Sequence, residues 1–193
     1  MEILFENKDI AVCVKPVGLD SQAEVPAALA EQISGEFLPV HRLDKNVAGV
    51  MVYARTKAAA ATLSQLIQNG QMVKEYIAQV HGTLPPDGDW TDLLFKDSGK
   101  NKVFVVKKER KGVKKARLEF KRMDNPSQAR IRLHTGRSHQ IRVQFASRGF
   151  PLVGDHKYGS RDEAIAPMLF SCCISFPWKG QQLRFEKLPE WCQ

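Results

Sequence analysis

Only four cysteines occur in the 193 residues, Cys13, Cys172, Cys173 and Cys192, and no two of them stand in C-x-x-C spacing. The paired thiols of a finger or dithiol motif are therefore missing. Cys13 and the Cys172-Cys173 pair lie inside apolar runs, where reduced cysteine behaves as a small buried hydrophobe, so a reducing, cytoplasmic compartment is expected. No stretch approaches the roughly 20 apolar residues that span a bilayer. The start, Met1-Glu2-Ile3-Leu4-Phe5-Glu6-Asn7, lacks the basic lead and longer apolar core of a signal peptide, and no membrane role is expected. The nucleophile elbow G-x-S-x-G and the phosphate loop G-x-x-x-x-G-K are both absent. His134 and His139 stand five apart with no cysteine at finger spacing, so no metal is expected either.

Acidic residues are also in deficit. Lys plus Arg number 29 against 21 Asp plus Glu, a net charge of +8. In a compact chain that balance favours a polyanionic partner, nucleic acid first, although a solubility charge with no partner gives the same sum. With 43% apolar and 26% charged residues the composition is that of an ordinary globular protein. The length suits one well-buried core and is short for two. No repeat, linker or low-complexity tract is present.

The periodicities predict an α+β domain, rich in strands, with two substantial helices. Ile10 to Val14 reads as a buried strand ending in the Lys15-Pro16-Val17-Gly18 turn, and residues from about Pro26 to Ile33 as a helix stopped by Gly35. Val50 to Ala54 is a second buried strand. Thr56 can cap a helix over Lys57 to Gln68, with Leu63, Leu66 and Ile67 on its buried stripe and Asn69-Gly70 as the stop. Val73 to His81 is strand-like and Pro85 to Gly88 a loop. A hairpin is expected over Lys100 to Met123, Lys102–Lys108 pairing with Lys114–Met123 through a turn at Gly112. It holds the densest positive charge, including Lys107, Lys108, Lys111, Lys114 and Lys115, which suits either an RNA-facing edge or a solvated edge that resists sheet aggregation. Ala129 to His134 is a further strand, Ser138 a candidate N-cap for a helix running to Arg148, and Met168 to Phe176 a last apolar strand expected to pair with Leu183-Arg184-Phe185.

Two polar constellations could carry chemistry. His41-Arg42-Leu43-Asp44 sets a carboxylate beside a guanidinium and an imidazole, in a loop feeding the Val50–Ala54 strand. A strand fixes the backbone while the loop keeps the acid reachable; alone, the tetrapeptide also reads as a surface salt-bridge cluster. Thr135-Gly136-Arg137-Ser138-His139-Gln140-Ile141-Arg142 places His139, Gln140 and Arg142 in a first helical turn, where unpaired N–H groups favour an anion. Arg142 could hold a carboxylate from another element in its ionised form.

These two stretches, with Gly149-Phe150-Pro151-Leu152-Val153-Gly154-Asp155-His156-Lys157-Tyr158-Gly159, resemble the RluA-type family of pseudouridine synthases. Val14-Lys15-Pro16-Val17-Gly18-Leu19 and Lys74-Glu75-Tyr76-Ile77-Ala78-Gln79-Val80-His81-Gly82 match as well, in order, over nearly the whole chain. The resemblance implies a pseudouridine synthase fold, a mixed, mostly antiparallel sheet with flanking helices and a central cleft. It implies a single catalytic domain over residues 1–193 that isomerises a uridine of ribosomal or transfer RNA without cofactor or metal, as a monomer. Asp44 then corresponds to the catalytic aspartate, Tyr76 to the pocket tyrosine that stacks on the uracil, and Arg142 to the partner that pairs with Asp44. Arg42 would hold RNA once the nucleotide is flipped from its stack. His41, Lys74, Lys114, Lys115, Arg137, His139 and Gln140 complete the expected substrate contacts.

The chain departs from the family's pattern in two places. Val47-Ala48 stands where Thr-Ser is usual after the aspartate loop, and Asp20-Ser21-Gln22 follows Leu19 where a histidine is common. The chain begins almost at its first motif, so no accessory N-terminal RNA-binding domain is expected. The rival reading is an RNA-binding protein that keeps the fold but does not catalyse; Val47-Ala48 favours it, and retention of Asp44, Tyr76 and Arg142 opposes it.

Overall fold

A computed structural model describes residues 1–192. The chain is a mixed α+β fold whose strands pair mostly antiparallel, and it divides into two compact units, Met1–Glu75 with the segment from Phe170 onward, and Tyr76–Leu169.

In the first unit the central strand is the Val50–Ala54 run, extended to Ala48–Ala54. Numbered in chain order, the strands are β1 (Glu2–Glu6), β2 (Ile10–Lys15), β3 (Leu38–Pro39) and β4 (Ala48–Ala54), with β5 (Val73–Gln79) crossing into the second unit and β10 (Leu169–Trp178) and β11 (Gln181–Glu186) returning. β4 pairs antiparallel with β2 from Lys15↔Gly49 to Ile10↔Ala54. Its other edge takes β10, in parallel, at Ala48 and Gly49, and β3 at Tyr53 and Ala54. A strand covered in this way is apolar on both faces, which is why it reads as an unbroken hydrophobic run. Helix α1 spans Glu24–Ala30, starting two residues before the expected Pro26 and ending before Gly35. Helix α2 spans Lys57–Gln68 as the pattern predicts, with Thr56 accepting the Ala59 N–H at 3.1 Å. Ala59 and Leu63 of α2 pack on Ile10, Val12, Val50, Val52, Ile174 and Phe176, the core of this unit.

Gly49 opens β4 at φ +131°, and a Cβ there would stand 2.4 Å from the backbone N and O of Ser171. Only glycine lets β10 pass this close, so the joint between the aspartate loop and its strand is fixed by backbone contact.

The second unit holds β6 (Asp87–Asp97), β7 (Lys102–Val106), β8 (Val113–Arg122) and β9 (Gln128–Leu133), in the order β9-β8-β6-β7, with helix α3 (Gln140–Ala146). The expected pairing of Lys102–Lys108 with Lys114–Met123 is not formed. β6 lies between them, pairing with β7 from Leu93↔Val106 to Asp97↔Lys102 and with β8 from Asp87↔Lys121 to Phe95↔Val113. Its acids hid a strand whose Trp90, Asp92 and Leu94 share one face by the two-residue alternation. That face meets α3. Trp90, Phe120 and Phe145 have ring centroids 4.6–5.4 Å apart, and Leu94, Val103, Ala116 and Val143 continue the core beside them.

Candidate active site

The loop carrying Asp44 is fastened from several sides within the first unit. Ser21, 1% exposed, donates its hydroxyl to Leu43 O at 3.0 Å and accepts the Leu43 N–H at 3.2 Å. Tyr53 holds the segment beneath by donating to Ser21 O at 2.7 Å. Gly18 N–H donates to Lys45 O at 2.8 Å, and Val47 N–H to Asp44 O at 3.0 Å. The departure Asp20-Ser21-Gln22 is thus a built contact: Ser21 clamps the residue just before Asp44. Val47, in place of the usual hydroxyl, is buried at 2% exposure.

Lys15, within the N-terminal motif, is the most unusual group here. Its side chain is fully buried and its ammonium donates to Pro16 O at 2.8 Å and Lys45 O at 3.1 Å. Burial brings its pKa down to about 8, against the pull of the Asp20, Asp44 and Glu24 carboxylates, which favour the charged form. A positive charge is thereby seated under the loop, within electrostatic reach of the Asp44 carboxyl group.

His41 turns inward. Its Nε2 accepts the Val52 N–H at 3.2 Å, while Nδ1 is buried with no hydrogen-bond partner among the described residues. Burial, helped by the positive charge of Lys74, lowers its pKa to about 3, so the ring is neutral and ties the loop to β4. Lys74 itself is held below the ordinary lysine range by burial. Arg42 is exposed and Asp44 half-buried.

In the second unit Tyr76 is 6% exposed, on the buried middle of β5. Arg142 on α3 is 3% exposed and engages Asp155 through two parallel bonds, Nε–Oδ2 at 2.7 Å and Nη2–Oδ1 at 2.8 Å. The guanidinium also lies 5.2 Å from the Tyr158 ring centroid. The Tyr158 hydroxyl accepts the Val103 N–H at 2.9 Å and bonds His139 Nδ1 at 2.8 Å. Asp155 and Tyr158 were not singled out from the sequence, although their segment matched the family. The signal was its clustered Gly-Asp-His-Lys-Tyr-Gly residues, which here form the cradle of Arg142.

The expected N-cap at Ser138 is not made. The cap position is His139, in the left-handed region at φ +50°, and α3 begins at Gln140. Gln140 substitutes as the organiser. Its Oε1 accepts the Thr135 hydroxyl at 2.8 Å and the Arg137 N–H at 3.0 Å, and its Nε2 donates to Arg117 O at 3.0 Å. Its amide is therefore spent inside the protein. Arg137 is exposed, with Nε anchored on Lys115 O at 3.0 Å. Lys114 and Lys115 are exposed neighbours on β8 that point to opposite faces of the strand. Asp44 and His41 belong to the first unit, Tyr76 and Arg142 to the second.

The family described as RNA pseudouridylate synthase matches residues 9–147. An uncharacterized RNA pseudouridine synthase of Aquifex aeolicus is 35% identical, over 96% of this chain and 68% of its own length. The dual-specificity RNA pseudouridine synthase RluA of Yersinia pestis is 32% identical over 96% of this chain and 98% of its own. The ribosomal large subunit pseudouridine synthase D of the same organism is 32% identical over 83% and 53%. Among solved structures, human RNA pseudouridylate synthase domain containing 4 superposes with a TM-score of 0.81 at 25% identity, over 98% of this chain and 89% of that one. Human RNA pseudouridylate synthase domain containing 1 gives 0.85 at 21% over 97% and 83%, a likeness of fold.

Proposed function

Because this chain belongs to the RNA pseudouridylate synthase family, in its RluA-type branch, and is an RNA-modifying isomerase, we propose that Asp44 is its nucleophile. The reaction exchanges a C1′–N1 bond for a C1′–C5 bond in one uridine. The carboxylate starts the cleavage, the freed uracil turns, C5 rejoins the ribose, the C5 proton leaves and N1 regains one. Nothing is oxidised or reduced, so side chains suffice. Tyr76 offers a flat face for the flipped base and a hydroxyl for removal of the C5 proton. Arg142 is the guanidinium partner of the Asp44 carboxylate. Arg42 is the exposed cation beside Asp44 available to the phosphate backbone.

The observation that carries this reading is the pair of devices around the two charged groups. Backbone contacts from Ser21, Gly18 and Lys15 hold the Asp44 loop, and a buried fork from Asp155 holds the Arg142 guanidinium. Preorganised groups of this kind are what a carboxylate-initiated reaction requires. A guanidinium has five N–H donors, so its engagement with Asp155 is compatible with a second carboxylate partner.

The substrate we propose is a uridine of structured ribosomal or transfer RNA, by analogy with the relatives' names, and the working form a cytoplasmic monomer. Its four unbridged thiols, three of them buried, fit a reducing compartment. The test is release of tritium from RNA labelled at uridine C5. The unmutated protein releases it and Asp44→Asn does not, while RNA binding persists. Equal release by both proteins refutes the assignment of Asp44.

A further inference from the structure

A polar concavity lies in the Tyr76–Leu169 unit, where the inner face of β6 and β8 runs out past the start of α3. It encloses about 170 Å³ and is lined by Lys96, Lys114 and Arg137, with Ser138 beside them and Leu94 and Val103 as its floor. Strand register explains the convergence. Leu94 and Lys96 share a face of β6, Leu94 stands opposite Lys114 on β8, and Lys96 stands opposite Val103 on β7. Arg137 is added from the loop before α3, its direction fixed by the Nε bond to Lys115 O at 3.0 Å.

Among the described residues, no carboxylate lines this hollow. Asp92, on the same face, is taken up by Arg148 at 2.8 Å and Gln144 at 2.7 Å. Asp97, next to Lys96, points to the other face and accepts the Lys100 N–H at 3.0 Å. Among the described residues, neither Lys96, Lys114 nor Arg137 has an ion-pair partner within 4 Å. Three exposed cations converging over an apolar floor repel one another, and an anion relieves them. The volume is well below the roughly 300–1,000 Å³ of small-molecule sites, so it suits a phosphate group and not a nucleoside.

We propose that this pocket receives one backbone phosphate of the RNA substrate, away from the target uridine. The proposal rests on RNA being the substrate. It separates Lys114, which faces the pocket, from the other basic residues of the strand, which contribute only diffuse attraction.

The test is equilibrium binding of unmodified ribosomal and transfer RNA transcripts, from low salt to about 1 M, by the full chain and by Lys96→Ala, Lys114→Ala and Lys121→Ala. Lys121 is exposed on β8, on the face opposite the pocket. One phosphate contact gives log K a slope of about −0.9 against log salt, so losing it costs roughly eightfold at 0.1 M and almost nothing near 1 M. Lys96→Ala and Lys114→Ala are each expected to weaken binding roughly fivefold to tenfold at 0.1 M and to flatten the slope by about 1. Lys121→Ala is expected to change it less than twofold. Similar losses for all three variants, or none for Lys114→Ala, overturn the proposal. Inorganic phosphate that shifts the Ser138 and Arg137 amide resonances, with RNA affinity unchanged in Lys114→Ala, also overturns it in favour of a free-phosphate site. Tritium release is read separately, so a protein that binds RNA as described but isomerises none would refute the enzyme assignment and leave the pocket standing.

Discussion

Acid should unfold this protein earlier than its carboxylates alone require, because of His41. The ring accepts the Val52 N–H and is buried, with Lys74 adding unfavourable charge, so its pKa falls from 6.5 to about 3. The folded-state value is depressed, so between pH 6.5 and 3 the unfolded chain binds a proton that the folded chain refuses. Stability is therefore whole above pH 6.5 and declines as pH falls. At pH 4.5 the loss from this one group is roughly 3 kcal/mol, and it reaches about 4 kcal/mol near pH 3. Urea unfolding at pH 7 and pH 4.5 measures it against His41→Phe, which cannot titrate. The variant forfeits the acceptor for Val52 N–H, about 1–3 kcal/mol at either pH, but its further fall on acidification should be smaller than the parent's by roughly 3 kcal/mol. If parent and variant fall in parallel, the ring is not held neutral and its scaffolding role is wrong.

Asp155→Asn removes the buried carboxylate charge that forks the Arg142 guanidinium, and should cost about 3–5 kcal/mol in urea unfolding together with most of the tritium release; a loss under about 1 kcal/mol would show that the fork is not what holds Arg142. Gly49→Ala drives a Cβ to 2.4 Å from the Ser171 backbone at φ +131°, and should lower the urea midpoint by an amount equivalent to about 3 kcal/mol or more. His156 places Nδ1 3.2 Å from Ser160 O and Nε2 2.9 Å from Ala164 O, two acceptors that only the doubly protonated ring can satisfy, and these bonds raise its pKa. The stabilisation is complete below pH 6.5 and lost as pH rises through that raised value, so amide exchange across residues 156–164 should quicken with pH beyond its intrinsic rise in the parent and not in His156→Gln.

What the sequence made legible was local. Helix α2 was readable to the residue because a capping threonine, an alanine run and Asn-Gly all act within one or two turns. β4 was readable because burial on both faces demands apolar side chains throughout. β6 was not, since its inward face carries Asp92 between Trp90 and Leu94, and its partners, β7 and β8, both follow it in sequence and would otherwise pair with each other. The same limit applies to the site. A motif names the residues that occupy a loop, and it is silent on which way each one faces. His41 and Gln140 come from the two stretches that carry the resemblance, yet His41 Nε2 is taken by the Val52 N–H and the Gln140 amide by Thr135, Arg137 and Arg117. Asp155 stood unremarked thirteen positions from the arginine it grips. Which carboxylate meets a guanidinium depends on the path of the intervening chain, here a helix, a Gly-Phe-Pro turn and a return toward the helix. The division of labour follows from that packing: the inward polar residues fix the backbone of each loop, and exposed cations, Arg42, Arg137, Lys114 and Lys115 among them, face solvent where a polyanion can reach them.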